Sequence, residues 1–227
     1  MFTERRSGLR PHKQTPAQGW PDIVGPLLLA LCGGFGLEAF TPHSVNNLAL
    51  AYLTHAWYLA IVGFWVWILG RRFPLGRLSR QGLSGWFRPW ILVGTLYLVL
   101  VLLSPGPPAH HAIVSLLIFQ GVVVGPTEEL LFRGLIQTAM NHSIMASPVW
   151  GSLRLGTIGT ALVFGLAHVG NLWYQPLSLT IGQASFAFVI GLILGHYYDR
   201  TQNLWGAAIL HNLIDLLSVA VPLIIGH

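Results

Sequence analysis

Apolar residues run along this chain in long blocks separated by short polar stretches, with little of the alternation that marks strands. A membrane-spanning helix needs about 20 mainly apolar residues. Seven blocks meet that need, some of them narrowly: residues 23–40, 47–70, 89–104, 112–140, 153–171, 176–199 and 203–225. The pattern predicts an all-α fold, a polytopic transmembrane helix bundle of about seven spans.

Composition sharpens this. Hydrophobic residues make up 53% of the 227 positions and charged residues only 8%, against about 25% charged in soluble domains. Mean hydropathy is +0.63. So few charges cannot cover a water-facing surface, so lipid must be the solvent for most of the chain. The single cysteine, Cys32, excludes an intramolecular disulfide and a cysteine zinc cluster, and reads as a small apolar residue within a span.

The formal charge of +5 does not point to nucleic acid. Five of the twelve basic residues fall between Arg71 and Arg88 and four more precede residue 14. Clusters flanking apolar spans are topology signals, because cytoplasmic loops carry the excess of Lys and Arg. With the N-terminus in the cytoplasm, the outer loops at 41–46, 105–111 and 172–175 contain no Lys or Arg. Arg133 alone then lies away from an inner segment. The chain divides into a disordered basic cytoplasmic tail (1–20), two N-terminal spans with a basic loop (21–88), and a helix bundle (89–227). Arg5-Arg6 resembles a twin-arginine signal, but the apolar stretch that follows has no small-residue cleavage site and reads as a retained span.

Apart from Asp199, which opens the inner segment 199–203, four acids fall within spans: Glu38, Glu128, Glu129 and Asp215. An ionisable group there costs at least about 2.5 kcal/mol unless it faces protein or water. Glu38 lies close enough to an outer end to reach the headgroups. Glu128 and Glu129 are adjacent in mid-span. At about 100° per residue, Gly121, Gly125, Glu128 and Phe132 share a face, and glycines at this spacing let helices approach closely. Glu129 and Arg133 form an i,i+4 pair in the favourable order, which accounts for the stray arginine and leaves Glu128 the less neutralised acid. A purely structural ionic clamp fits these three residues as well. Pro126 in the same span is positioned to kink it and shift these phases.

The fifth span carries Phe164 and His168 on one face, and the seventh His211 and Asp215. Spans four and five are antiparallel about a break near Ser147-Pro148. Glu128 lies 20 residues before Pro148 and His168 20 residues after it. Residues equally far from a turn share a depth, so a carboxylate and an imidazole are expected to meet inside the membrane. Peptide hydrolysis needs a water, a base and donors for the oxyanion. Glu128 suits the base, His168 the acid for the leaving amine, and His211 the oxyanion donor, with Asp215 holding its ring. Asn171 suits either a cavity wall or a helix-end cap. No nucleophilic Ser or Cys is needed. The chain lacks H-E-x-x-H, and Gly82-Leu83-Ser84-Gly85, a rhomboid-like string, falls in the basic loop. Glu128, Glu129, His168 and His211 are metal-competent by type, but nothing in their spacing demands a metal, so neither a metal nor another cofactor is expected.

Glu128-Glu129-x-x-x-Arg133-Gly134, Phe164-x-x-x-His168 and His211-x-x-x-Asp215 resemble the three motifs of the CAAX prenyl protease and bacteriocin-processing (Abi) family of glutamic intramembrane endopeptidases. The resemblance covers roughly residues 88–225. It implies catalytic roles for Glu128, Glu129, Arg133, His168, His211 and Asp215, activation of water without a metal, a membrane-anchored protein or peptide as substrate, and a bacterial plasma membrane as location. Many members carry Asn where this chain has Asp215; the resemblance implies that this position binds the oxyanion with His211, which an ionised Asp cannot do, and so leaves either a protonated Asp215 or one that orients His211. A non-catalytic immunity or binding factor, or a small proton-coupled transporter, is the alternative that the buried acids also fit.

Overall fold

The computed structural model describes residues 20–40, 47–67, 70, 74–76, 91, 95, 113–150, 153–173 and 175–225. Six helices organise them: α1 (Trp20–Phe40), α2 (Asn47–Trp67), α3 (Ile113–Asn141), α4 (Leu155–Ala167, continued as a 3-10 helix to Trp173), α5 (Leu177–Thr201) and α6 (Leu204–Ile225). Five of them, α2 to α6, are long and apolar enough to cross a membrane. In α1 the corresponding apolar stretch, Ile23–Gly33, is shorter. The predicted third span, 89–104, lies outside the described residues except for Ile91 and Thr95. The chain is an integral membrane protein built as an all-α polytopic bundle.

The outward faces confirm which solvent the fold expects. Val122, Leu162, Ile181 and Leu213 are each more than half exposed, whereas Glu129, Arg133 and Thr157 are fully buried. One core joins α1, α2, α3 and α4 through Ile23, Ile61, Trp65, Leu131, Phe132 and Phe164. A second, with Leu194, Tyr197, Ala207 and Leu210, locks α5 to α6.

Helix α3 is not uniform. Pro126 has no N–H to give, and on either side of it the helix widens to i→i+5 bonding, at Phe119–Val124 and again at Leu130–Gln137. Such widened turns recur at functional sites because they re-aim side chains. Helix α6 supports the break. Asn212 accepts from the Gly125 amide at 2.6 Å and donates to the Gly121 carbonyl at 2.8 Å. A Cβ on Gly125 would collide with Asn212 and with the Ala208 carbonyl. The two glycines therefore press α3 on α6, while Glu128 lies between α2 and α6, beside His55 and His211.

The break between α3 and α4 is more structured than an all-helical pattern suggests. A 3-10 turn at Ile144–Ala146 is followed by a short antiparallel ladder, Pro148–Trp150 against Leu153–Arg154. The ladder closes the hairpin at the place expected, so α3 and α4 run antiparallel from a common end. Thr157, Gln137, Asn141 and Asp199 fasten α4, α3 and α5 near that end: Asp199 accepts from Gln137 Nε2 at 2.9 Å, from Asn141 Nδ2 at 2.8 Å and from the Thr157 hydroxyl.

Candidate active site

Glu128 and Glu129 lie between Pro126 and the second widened stretch of α3. Being adjacent, they point in different directions. Glu129 is fully buried and turns to Arg133, Oε2 to Nε 3.1 Å. The guanidinium also lies over the Phe164 ring, 4.5 Å from its centroid, a cation–π contact that favours a desolvated arginine. The arginine that broke the loop pattern is therefore held by a carboxylate on its own helix and an aromatic face from α4.

His211 on α6 is held by the same glutamate. Its Nδ1 donates to Glu129 Oε1 at 2.8 Å. Its Nε2 lies 3.6 Å from Glu128 Oε2 and 3.4 Å from Asp215 Oδ2. Glu129 thus bridges Arg133 and His211, and it makes the short contact to the ring where the sequence pointed to Asp215. Asp215 and Glu128 instead share the opposite nitrogen.

Glu128 has a second imidazole neighbour. His55, at the middle of α2, places Nε2 3.3 Å from Glu128 Oε1. Its Nδ1 lies 2.8 Å from the Ala51 carbonyl; a carbonyl only accepts, so Nδ1 carries the proton and Nε2 meets the carboxylate. Sequence reasoning overlooked His55. The signal was present, a titratable residue in the centre of the apolar run 47–70, but only the acids were weighed by the cost of placing them in lipid.

His168 ends the regular part of α4, and its Nδ1 donates to the Phe164 carbonyl at 2.8 Å, which leaves Nε2 as the lone-pair side. Among the described residues, the ring nitrogens within 4 Å of the Glu128 carboxylate belong to His55 and His211. His168 and Glu128 both line a cavity of about 230 Å³, together with His55, His211 and Asp215. The expected meeting of carboxylate and imidazole takes the form of a shared cavity wall with room between the groups. Asn171 lines the cavity too and donates to Gln183 Oε1 at 2.7 Å.

The cluster therefore combines three carboxylates, one guanidinium and three imidazoles from α2, α3, α4 and α6, under apolar packing and beside an open space. All six residues singled out in the sequence gather here: Glu128, His168, His211 and Asp215 on the cavity wall, Glu129 and Arg133 directly behind it.

Residues 110–217 match the model of a family described as type II CAAX prenyl endopeptidase Rce1-like. Comparison with curated proteins and with solved structures gives no significant match. The matched stretch contains α3 to most of α6; α2 with His55 lies outside it.

Proposed function

We propose, from the premise that this chain belongs through residues 110–217 to the CAAX-type intramembrane protease family, that it cleaves a membrane-anchored protein by glutamate-driven activation of water. That it is a membrane-embedded protease acting on a protein follows from the family. The glutamate mechanism is supported by one observation above all: Glu128 and His168 line the same cavity, together with His55, His211 and Asp215.

The steps follow from where each proton can sit. A water in the space between Glu128 and His168 gives a proton to the Glu128 carboxylate as its oxygen attacks the scissile carbonyl carbon. General base action of this kind supplies about 10²–10⁴-fold in rate. The carbonyl oxygen becomes an oxyanion, to which His211 donates from Nε2 as an imidazolium, its Nδ1–H being held by Glu129. Collapse of the intermediate breaks the C–N bond, and the amine leaves with a proton delivered through His168. Asp215, 3.4 Å from His211 Nε2, orients that ring as a carboxylate; carrying a proton, it would donate to the oxyanion instead. Arg133 neutralises Glu129, so that Glu128 remains the carboxylate presented to water. His55 positions Glu128 from the side opposite His211. None of these steps calls for a metal or a cofactor.

Separate substitutions test the scheme. Glu128→Gln and His168→Ala each abolish cleavage of a membrane-tethered reporter while the protein remains folded. Unchanged cellular activity in both variants would favour a binding or immunity factor, and potential-dependent proton flux lost in Glu128→Gln would favour a transporter.

A further inference from the structure

We propose that a cavity between α5 and α6 is a specificity subsite, which takes a bulky apolar side chain of a substrate residue beside the scissile bond, and that Gly182 sets its size. This deepens the proteolytic reading above and rests on it, but other residues carry it.

The cavity follows from how the two helices pair. Leu194 and Tyr197 of α5 lock onto Ala207 and Leu210 of α6. Ile190 and Ile214 belong to that core and also to the wall of a cavity of about 490 Å³, which therefore begins where the core ends. On α5 the wall is Leu179, Gly182, Gln183, Phe186 and Ile190, positions three or four apart that form one helical face. On α6 it is His211, Ile214, Asp215 and Ser218, spaced in the same way. His168, Gln183, His211 and Asp215 line this cavity and the Glu128 cavity alike. A largely apolar space, with a volume in the range of ligand pockets, thus adjoins the reacting groups.

Gly182 is the unusual position in its wall. A glycine inside a helix is destabilising relative to alanine, a cost that close packing can offset. The other two glycines of α5 have that reason. A Cβ on Gly191 would come within 3.0 Å of Ala161, and one on Gly195 within 2.8 Å of Gln137 and Thr157. At Gly182 a Cβ would meet nothing within 4 Å. No neighbour requires the glycine there; its missing side chain keeps the cavity wide.

Gln183, the next residue, supplies a polar hold. Its Oε1 accepts from Asn171 Nδ2 and from Gln175 Nε2, each at 2.7 Å. That fixes the amide and leaves its own N–H groups for a backbone carbonyl of the substrate. Successive side chains of an extended segment point to opposite sides. A segment held at Gln183, with its scissile carbonyl at His211, therefore turns one side chain beside that bond into the α5–α6 cavity, against Phe164, Phe186 and Ile190. A free hydrocarbon chain has no group to pair with the amide, so the occupant is a side chain of the peptide.

The test is a membrane-tethered reporter remade with Ala, Leu or Phe at each of the two residues on either side of the cut. At one of these positions the unaltered chain should cleave the Leu or Phe reporter with kcat/KM about tenfold or more above the Ala reporter, as expected for apolar groups added in a hydrophobic pocket. Gly182→Leu should bring that ratio to about one or below. Leu179→Ala, which widens the cavity from the same face, should move the preference from Leu towards Phe, and it decides the matter if Gly182→Leu does not fold. A ratio unmoved in the folded variants, or no apolar preference in the unaltered chain, overturns the proposal while leaving the proteolytic reading in place. Full cleavage by Glu128→Gln, with a ratio that still responds to Gly182→Leu, would remove the glutamate mechanism and leave the subsite standing. If the unaltered chain cuts no reporter, both fall.

Discussion

Two polar clusters are buried in this bundle, and α3 contributes to both. Around Asp199 one carboxylate meets three neutral donors, from Gln137, Asn141 and Thr157. Around Glu128 three carboxylates meet one guanidinium and three imidazoles, and most of them border a cavity. A buried acid is costly in either place. At Asp199 the cost is offset by neutral donors from three helices, an arrangement suited to holding α3, α4 and α5 together. At Glu128 the acids outnumber the fixed cation and open space is left beside them, which is poor design for a clamp and good design for moving protons.

The contrast can be broken most forcefully at Glu128. Glu128→Gln keeps the shape and removes the base, so cleavage of a tethered reporter should fall about 10³-fold or more while the melting temperature in detergent stays close to that of the parent. A large drop in melting temperature would make Glu128 a clamp like Asp199. Arg133→Met has the opposite signature. Removing one partner of a buried ion pair costs about 3–5 kcal/mol, so thermal unfolding should move sharply downward, with activity lost through the folded population. Next comes Asp199→Asn, which loses charge-assisted hydrogen bonds worth about 1–3 kcal/mol each. It should lower the melting temperature yet leave turnover per folded molecule intact; a turnover defect in the folded fraction would erase the distinction between the clusters. The smallest effect is expected from His55→Gln. With two other groups still lining the cavity beside Glu128, turnover should fall only about tenfold, below the roughly 10²-fold loss expected for a direct acid or base, and KM should be unchanged. A change confined to KM would move His55 from positioning Glu128 to contacting substrate.

Much of this was legible in the chain because membranes impose simple rules. The five long apolar helices followed from apolar run length, and equal distances to Pro148 pointed to Glu128 and His168 as neighbours of one cavity. The Glu129–Arg133 pair followed from i,i+4 spacing and forms at 3.1 Å. What could not be read depends on how helices rotate against one another. His55 approaches Glu128 because α2 packs on α3 in one register, and no local spacing encodes that register. The widened turns flanking Pro126 shift the phase of α3, so the face shared by Gly121, Gly125, Glu128 and Phe132 in a regular helix is divided: the glycines meet α6, while Glu128 and Phe132 line the cavity. The same shift explains why Glu129, with no cavity contact of its own, reaches His211 more closely than Asp215 does.

The most direct test is to compare protein N-termini in membranes of cells that produce the unaltered chain with those in cells that produce Glu128→Gln at equal level. At least one new internal N-terminus on a membrane-anchored protein should be present with the unaltered chain and missing with the variant, and the uncut precursor should accumulate in its place. Equal abundance of every such N-terminus in the two membranes would contradict a catalytic role for the Glu128 carboxylate.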